Sequence, residues 1–303
     1  MTTTDKIHQT LRDSAGMRWL VLLLLAFAMF CSYIFMDILS PIKDLMQSTR
    51  GWDSTAFGTM QGSETFLNVF VFFLIFAGII LDKMGVRFTA ILSGAVMLVG
   101  ATINWYAVTD AFQGSGLQTW FTNNLNYIPG FDELGISPFY RGMPASAKFA
   151  AIGFMIFGCG VEMAGSRGIV KWFKGREMAL AMGSEMALAR LGVATCMIFS
   201  PVFAKLGGVI DVSRSVAFGV VLLLIALIMF IVYFFMDKKL DEQTGEAEEK
   251  DDPFKISDLG TILSSGGFWL VALLCVLYYS AIFPFQKYAV NMLQCNLVFK
   301  EVP

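Results

Sequence analysis

The chain has 303 residues, of which 56% are hydrophobic and 15% are charged, and its formal net charge is −2. Soluble proteins carry about 25% charged residues, so this composition indicates a membrane protein. The one histidine, His8, lies in a polar N-terminal tail. Histidine-based metal or proton chemistry inside a membrane is therefore excluded, and carboxylates are the only candidate proton carriers. The chain has no C-x-x-C pair and no G-x-x-x-x-G-K-[ST] loop, so we expect no cofactor, no enzymatic activity and no nucleic-acid partner.

Seven apolar runs have the length of about 20 residues that a helix needs to cross a bilayer. The first is longer than the apolar core of a cleavable signal peptide, so we expect it to be a retained span. The pattern predicts an all-α membrane protein whose partner is the lipid bilayer. The runs are Met17–Leu39, Phe57–Leu81, Phe88–Val108, Ala147–Ser166, Glu177–Phe203, Val216–Met236 and Phe268–Phe285.

The segments on the same side of the membrane as the N-terminus carry more Lys and Arg than the loops on the opposite side. The positive-inside rule therefore predicts a cytoplasmic N-terminus in a multi-pass protein of the cell membrane. The predicted order is a cytoplasmic tail (1–16), a six-span half (17–236), an acidic cytoplasmic linker (237–267) and a seventh span with a truncated end (268–303). The acids of the linker are expected to be solvated.

The long segment between the third and fourth spans, residues 109–146, is rich in Gly, Asn, Pro and aromatic residues. This composition predicts an ordered or interfacial segment that covers the outer end of the bundle. The sequence assigns it no function.

A short basic loop separates the second and third spans. Gly78, Asp82, Lys83, Gly85 and Arg87 fit the pattern G-x-x-x-D-[RK]-x-G-x-[RK]. The loop is too short to form a domain, so it predicts a tight reversal in which Gly85 adopts a positive φ. Asp82 is expected to accept hydrogen bonds from a neighbouring helix N-terminus.

This pattern resembles the signature loop of the major facilitator superfamily. The resemblance implies a six-helix N-terminal half of a major facilitator bundle, with a substrate path worked by alternating access. It also implies that the loop stabilises one gating state, with Asp82 the residue most involved. Members of that family have twelve spans, so we expect this chain, with seven, to be truncated or frame-shifted.

Two charges lie inside predicted spans, Glu162 in the fourth and Arg190 in the fifth. An intramembrane charge is costly and usually faces the bundle interior. Counted from the span ends, their depths differ by about 10 Å, so a direct ion pair is not required by the sequence. A solute with an ammonium and a carboxylate group is one explanation of both charges, and a buried pair that fixes helix packing is the other.

Three stretches, 160–162, 170–177 and 186–192, are similar to the dipeptide-transporter branch of this superfamily, with its W-F-K-G loop and A-R-[IL]-G element. The resemblance implies that Glu162 and Arg190 bind the two termini of a peptide.

Three further carboxylates are candidate proton or cavity groups. Glu185 lies about 140° around the fifth helix from Arg190 and is expected to face the inner cavity mouth or a neighbouring helix. Asp37 and Glu64 are near predicted span ends, where solvation at the membrane interface is the favoured explanation.

The sequence favours a secondary active transporter for a small solute, most simply a di- or tripeptide. A proton is the candidate coupling ion. An organic-anion or nitrate-type carrier of the same superfamily and a non-transporting truncated remnant are the alternatives.

Overall fold

The computed structural model describes residues 10–164, 167–244, 260 and 262–297. Most of these residues are helical, and no strand occurs among them. The helices are α1 (Ala15–Met36), α2 (Lys43–Arg50), α3 (Ser54–Phe70), α4 (Phe73–Val108), α5 (Gly116–Asn123), α6 (Ala145–Met163), α7 (Arg167–Trp172), α8 (Met178–Ala204), α9 (Val212–Thr244) and α10 (Gly266–Leu297). Below, the inner end of the bundle is the end with the turn at Gly85 and the loop 173–177. The outer end is the one with residues 37–53 and 109–144.

Six helical stretches in this part of the chain are long and apolar enough to cross a membrane. They are built on α1, α4, α6, α8, α9 and α10. The predicted all-α membrane architecture is therefore confirmed. Large apolar side chains remain exposed along these helices, as expected for surfaces that face lipid rather than water.

The second predicted span is not one continuous helix. It is divided between α3 and the beginning of α4, because Phe72 has a φ of 55°, which interrupts the helical hydrogen bonding. The chain then reverses at Gly85, whose φ of 81° and ψ of 166° lie outside the helical region. This reversal is the tight turn that the sequence predicts, and glycine suits it because a Cβ would be strained there.

Hydrogen bonds to α6 show this reversal directly. Along α3, Ser63 donates to the carbonyl of Ala151 and Asn68 contacts Glu162, so α3 and α6 run parallel. Along α4, Ser93 donates to the carbonyl of Gly160, whereas Asn104 donates to the carbonyl of Ala150, so these two helices run antiparallel.

Close backbone approach holds α6 against both neighbours. A Cβ added at Gly153 would lie 2.7 Å from the carbonyl oxygen of Gly100 on α4, and one at Gly158 would overlap the carbonyl oxygen of Glu64 on α3. Small residues at helix interfaces in membranes allow such van der Waals contact between backbones. Gly153 and Gly158 of α6 thus serve helix packing.

The outer segment is anchored by a buried lysine of α6. Lys148, 1% exposed, donates from Nζ to the carbonyls of Phe121 and Asn124 and to Oδ1 of Asn126 at 2.9–3.1 Å. These bonds satisfy carbonyls at the C-terminal end of α5 that the helix itself leaves free. The segment is therefore ordered against the outer end of α6.

Helix α9 continues beyond the sixth predicted span, to Thr244. Asp237 and Asp241 therefore belong to a helix and not to a solvated linker, and Asp237 is fully buried. The helix persists because basic side chains of the loops surround these two carboxylates. Residues 245–259 of the predicted linker lie outside the described residues.

Candidate functional site

Glu162 lies on the last turn of α6, where its side chain is exposed. The amide of Asn68 on α3 approaches it, with Nδ2 3.5 Å from Oε1. Its carboxylate is thus lightly held and remains open to a ligand.

Arg190 lies half-buried in the middle of α8. Its guanidinium carbon is 5.9 Å from the centre of the Tyr33 ring on α1, which is within the range of a cation–π interaction. Its Nη1 is buried and has no hydrogen-bond partner among the described residues. A buried guanidinium nitrogen without a partner costs free energy that an incoming acceptor would recover.

Glu162 and Arg190 are brought to one region but not into contact. Both belong to the described residues, and no ion pair within 4.0 Å joins them there. Tyr33 lies within electrostatic reach of Arg190, Glu64 and Glu162. The five side chains Tyr33, Glu64, Asn68, Glu162 and Arg190 are named the polar site below.

Asp37 and Glu64 are both buried, at 3% and 8% exposure. The expectation that they are solvated at the membrane interface is therefore wrong. The reason is the packing of the outer end, where the 3-10 turn Ser40–Ile42 and α10 cover Asp37 and Gly158 packs on Glu64. Nζ of Lys287 on α10 lies 2.7 Å from Oδ1 of Asp37.

Sequence reasoning missed Lys287 as a site residue. It lies just beyond the predicted end of the seventh span, where a lysine is ordinarily explained by the membrane interface. A signal was present, because Asp37 occupies the equivalent outer end of the first span and opposite charges at equal depth are potential partners.

Glu185 lies on a different side of α8 and is buried. It lines a small cavity of about 30 Å³ between α1, α4, α7 and α9, together with Ser32, Thr89 and Tyr233. A volume of this size holds one or two water molecules and not a solute. Glu185 is thus separate from the polar site and faces neighbouring helices, one of the two placements expected for it.

At the inner end, the basic residues of two loops converge on α9. Arg87 lies 2.9 Å from Asp241, and Lys171 lies 2.7 Å from both Asp237 and Asp241. Of the other loop residues, Gly78 is helical, Asp82 is half-buried and Lys83 is exposed. The structure thus ties Arg87 to α9, whereas Lys83 faces solvent.

The loop between α7 and α8 is fixed by the N-terminal segment. Arg18, buried at the start of α1, lies 3.3 Å from Glu177, and Arg176 lies 2.8 Å from Asp13. A backbone hydrogen bond from Thr10 lowers the pKa of Asp13 below its usual range, with Arg176 adding to the effect. The basic loop is therefore part of an ordered inner surface.

Comparison with known proteins decides the family. The model of the Major Facilitator Superfamily matches residues 25–296, which include every predicted site residue. The chain belongs to the major facilitator superfamily. The superfamily is one of membrane transporters.

Curated relatives in the superfamily carry the name "Lysosomal dipeptide transporter MFSD1". The chain is 24% identical over 277 residues to the Homo sapiens protein and 25% identical over 282 residues to the Danio rerio protein. Each alignment covers 88% of this chain and 52% of the relative. The Gallus gallus protein is 30% identical over 145 residues, covering 44% of this chain and 32% of its own length.

The chain thus spans about half the length of the curated relatives it matches. No solved structure matches it. The superfamily assignment therefore rests on the sequence match and on the helical bundle described above.

Proposed function

We propose that this chain forms one side of the solute path of a secondary active transporter, which moves a small zwitterionic solute such as a di- or tripeptide by alternating access. Superfamily membership supports transport. The names of the relatives support the peptide class.

The observation that supports this class of solute is that the polar site contains both Arg190 and Glu162, which do not contact each other. The unpartnered Nη1 of Arg190 suits a carboxylate, and the open carboxylate of Glu162 suits an ammonium group. An extended dipeptide is about 7 Å long, so its termini can bridge two charges that do not reach each other. A guanidinium can also bind a carboxylate through two parallel hydrogen bonds.

The remaining members of the polar site support these two contacts. The ring of Tyr33 holds the guanidinium of Arg190 from one side. The amide of Asn68 orients the carboxylate of Glu162. Both arrangements place the charged groups before a ligand arrives, which lowers the entropy cost of binding.

Binding of Ala-Ala to the purified chain in nanodiscs, measured by calorimetry, tests the proposal. We expect Arg190→Ala to abolish binding and Arg190→Lys to weaken it at least tenfold, because lysine has no planar fork for the carboxylate. The C-terminal amide of the dipeptide should bind the wild type as poorly as Ala-Ala binds Arg190→Ala. Likewise, the N-acetyl dipeptide should bind the wild type as poorly as Ala-Ala binds Glu162→Gln.

Lys205→Gln is the matched control, because Lys205 is exposed at the outer end of α8. Unchanged dipeptide affinity in correctly folded Arg190→Ala would overturn the assignment of the site. Displacement of a bound anion by nitrate, but not by dipeptides, would favour the organic-anion or nitrate-type carrier. A stable chain that binds neither class would favour a non-transporting remnant.

The proposed location is the cell membrane, with the N-terminus and the inner end cytoplasmic. The cluster of Arg87, Lys171, Lys174 and Arg176 at the inner end supports this orientation. Curated relatives are lysosomal by name, which makes an internal membrane the competing location. Protease added to intact cells distinguishes the two locations. An epitope after Glu133 should be cleaved only if the protein is in the cell membrane, and an epitope after Lys250 should stay protected if the inner end is cytoplasmic.

A further inference from the structure

Hydrogen bonds between spans locate the outer boundary of the hydrocarbon. The first apolar run ends immediately before Ser40, and the hydroxyl of Ser40 accepts a hydrogen bond from Nε2 of Gln61 on α3 at 3.1 Å. Ser215, which immediately precedes the sixth run, donates to the carbonyl of Ser200, and Ser200 donates to the carbonyl of Ile38. The two runs therefore end at one level, which crosses α3 near Gln61.

The outer segment reaches below this level. The ring of Phe131 meets the rings of Phe66 and Phe70 on α3 edge-on, at centroid distances of 5.2 and 5.4 Å. Phe66 and Phe70 follow Gln61 by about 8 and 14 Å of helix rise, and helical side chains tilt back towards the helix N-terminus. Phe131 thus lies about 5–10 Å inside the boundary at Gln61, which is the depth typical of segments that lie in the membrane interface.

This aromatic contact is on the outside of the bundle. Phe66 and Phe70 each lie about 160° around α3 from Asn68, which belongs to the polar site. Phe131 is therefore on the face of α3 opposite to that site. This part of the outer segment runs beside the bundle, away from the polar site and along a surface that faces lipid.

Large apolar side chains of the same segment remain exposed. Tryptophan and tyrosine among them are the residues that favour the interface between hydrocarbon and water. The exposed fractions are 50% for Trp120, 52% for Tyr127 and 70% for Leu134, with Leu117 and Ile136 exposed as well.

The turn after Phe131 limits how deep the segment lies. The backbone N–H of Ile136 donates to the carbonyl of Phe131 at 3.1 Å, so the chain reverses there. Asp132 and Glu133 within the turn are exposed. A carboxylate is costly in hydrocarbon but keeps its water at the headgroup level. The turn therefore fits the interface and not the bilayer centre.

We propose that residues 116–137 are a membrane-interface anchor, which inserts Phe131, Leu134 and the exposed aromatic side chains into the phospholipid leaflet at the outer end. The leaflet is the occupant of this apolar surface because the surface continues that of the spans at the same depth. Lys148 holds the anchor against α6 through the carbonyls of Phe121 and Asn124. The anchor is thus ordered before it meets lipid, which lowers the entropy cost of insertion.

Fluorescence quenching in nanodiscs tests the anchor. An NBD label is attached at Leu134→Cys in a background with Cys275→Ser and Cys295→Ser, since the other three cysteines are buried. The quenchers are a phospholipid with a nitroxide near the ester end of its acyl chain and aqueous iodide. The matched control is a label at Ala111→Cys, which is exposed past the outer end of α4. We expect the lipid nitroxide to quench the Leu134→Cys label about threefold more than the control label, and iodide to do the reverse.

A second variant links insertion to the aromatic contact. Phe131→Ser removes the ring that packs on α3, so iodide quenching of the Leu134→Cys label should rise about threefold. Phe235→Ser removes an exposed ring of α9 and should leave this quenching unchanged. The same reading in both serine variants would contradict the role of Phe131.

Two results with the label at Leu134→Cys would overturn the anchor itself. Quenching by iodide and not by the lipid nitroxide would place the segment in water. Protection from both quenchers would show that protein, such as a second copy of the chain, covers this surface.

Discussion

The indole of Trp172 donates its Nε1–H to Oδ1 of Asp237 over 2.8 Å, and both side chains are fully buried. The same carboxylate pairs with Lys171 at 2.7 Å and lies 3.9 Å from Arg87. It therefore joins the signature loop and the end of α7 to the last two turns of α9. An acid buried to this degree is stable only because several donors surround it.

Removing this carboxylate should loosen the inner end. Asp237→Ala leaves Lys171 without one of its two acceptors and Trp172 without its own, so we expect a loss of about 3–5 kcal/mol in the free energy of unfolding. Arg176→Ala is the control, because its ion pair with Asp13 is partly exposed and should contribute about 0–1 kcal/mol. Unfolding in mixed micelles measures both losses. Equal losses would show that the cluster contributes no more than a surface pair.

The turn at Gly85 should not tolerate a side chain. Its φ and ψ fall in a region occupied almost only by glycine, so we expect Gly85→Ala to cost about 1–3 kcal/mol. Gly78→Ala is the matched control in the same motif, because Gly78 is helical and has open space around its Cβ position. There, alanine should be neutral or stabilising by up to about 1 kcal/mol. If the two substitutions change the thermal unfolding temperature equally, the turn does not require glycine.

The close contact between α6 and α3 should make Gly158 intolerant of a larger side chain. Gly158→Ala places a methyl group against the backbone of Glu64, which cannot move without shifting α3, so we expect a loss of about 1–3 kcal/mol. Gly183→Ala on α8 meets nothing within 4 Å and should leave the unfolding temperature unchanged or raised. A stable Gly158→Ala protein would contradict the close packing described for this pair.

Lys148 should control the order of the outer segment. Lys148→Met keeps the length of the side chain but leaves the carbonyls of Phe121 and Asn124 without a donor, at a cost on the order of 1–3 kcal/mol. We expect faster hydrogen exchange and proteolysis over residues 116–126. Lys205→Met, at an exposed position, should change neither rate. Unaltered exchange in Lys148→Met would mean that aromatic packing alone holds the segment.

Much of the fold was predictable because hydrophobic runs of bilayer length locate most of the spans and their order. The positive φ at Gly85 could be predicted from the short loop and the glycine within it. The break at Phe72 could not, because it lies within a continuous apolar run that gives no signal of an interruption.

The site was less predictable, because the partners of intramembrane charges come from distant positions. Glu162 and Arg190 stand out in the sequence, but the contact between Asp37 and Lys287 joins residues 250 positions apart. Asp237 looked like the first acid of a solvated run, whereas the surrounding loops bury it. Such burial depends on three-dimensional proximity and leaves no local pattern.

The interleaved backbones of α4 and α6 have a mechanical consequence. With Gly100 facing Gly153 and no side chains between them, these helices cannot slide or roll past each other without steric overlap. They should move as a single rigid unit in any rearrangement of the bundle. Larger movements must then occur in the loosely packed helices, above all α10.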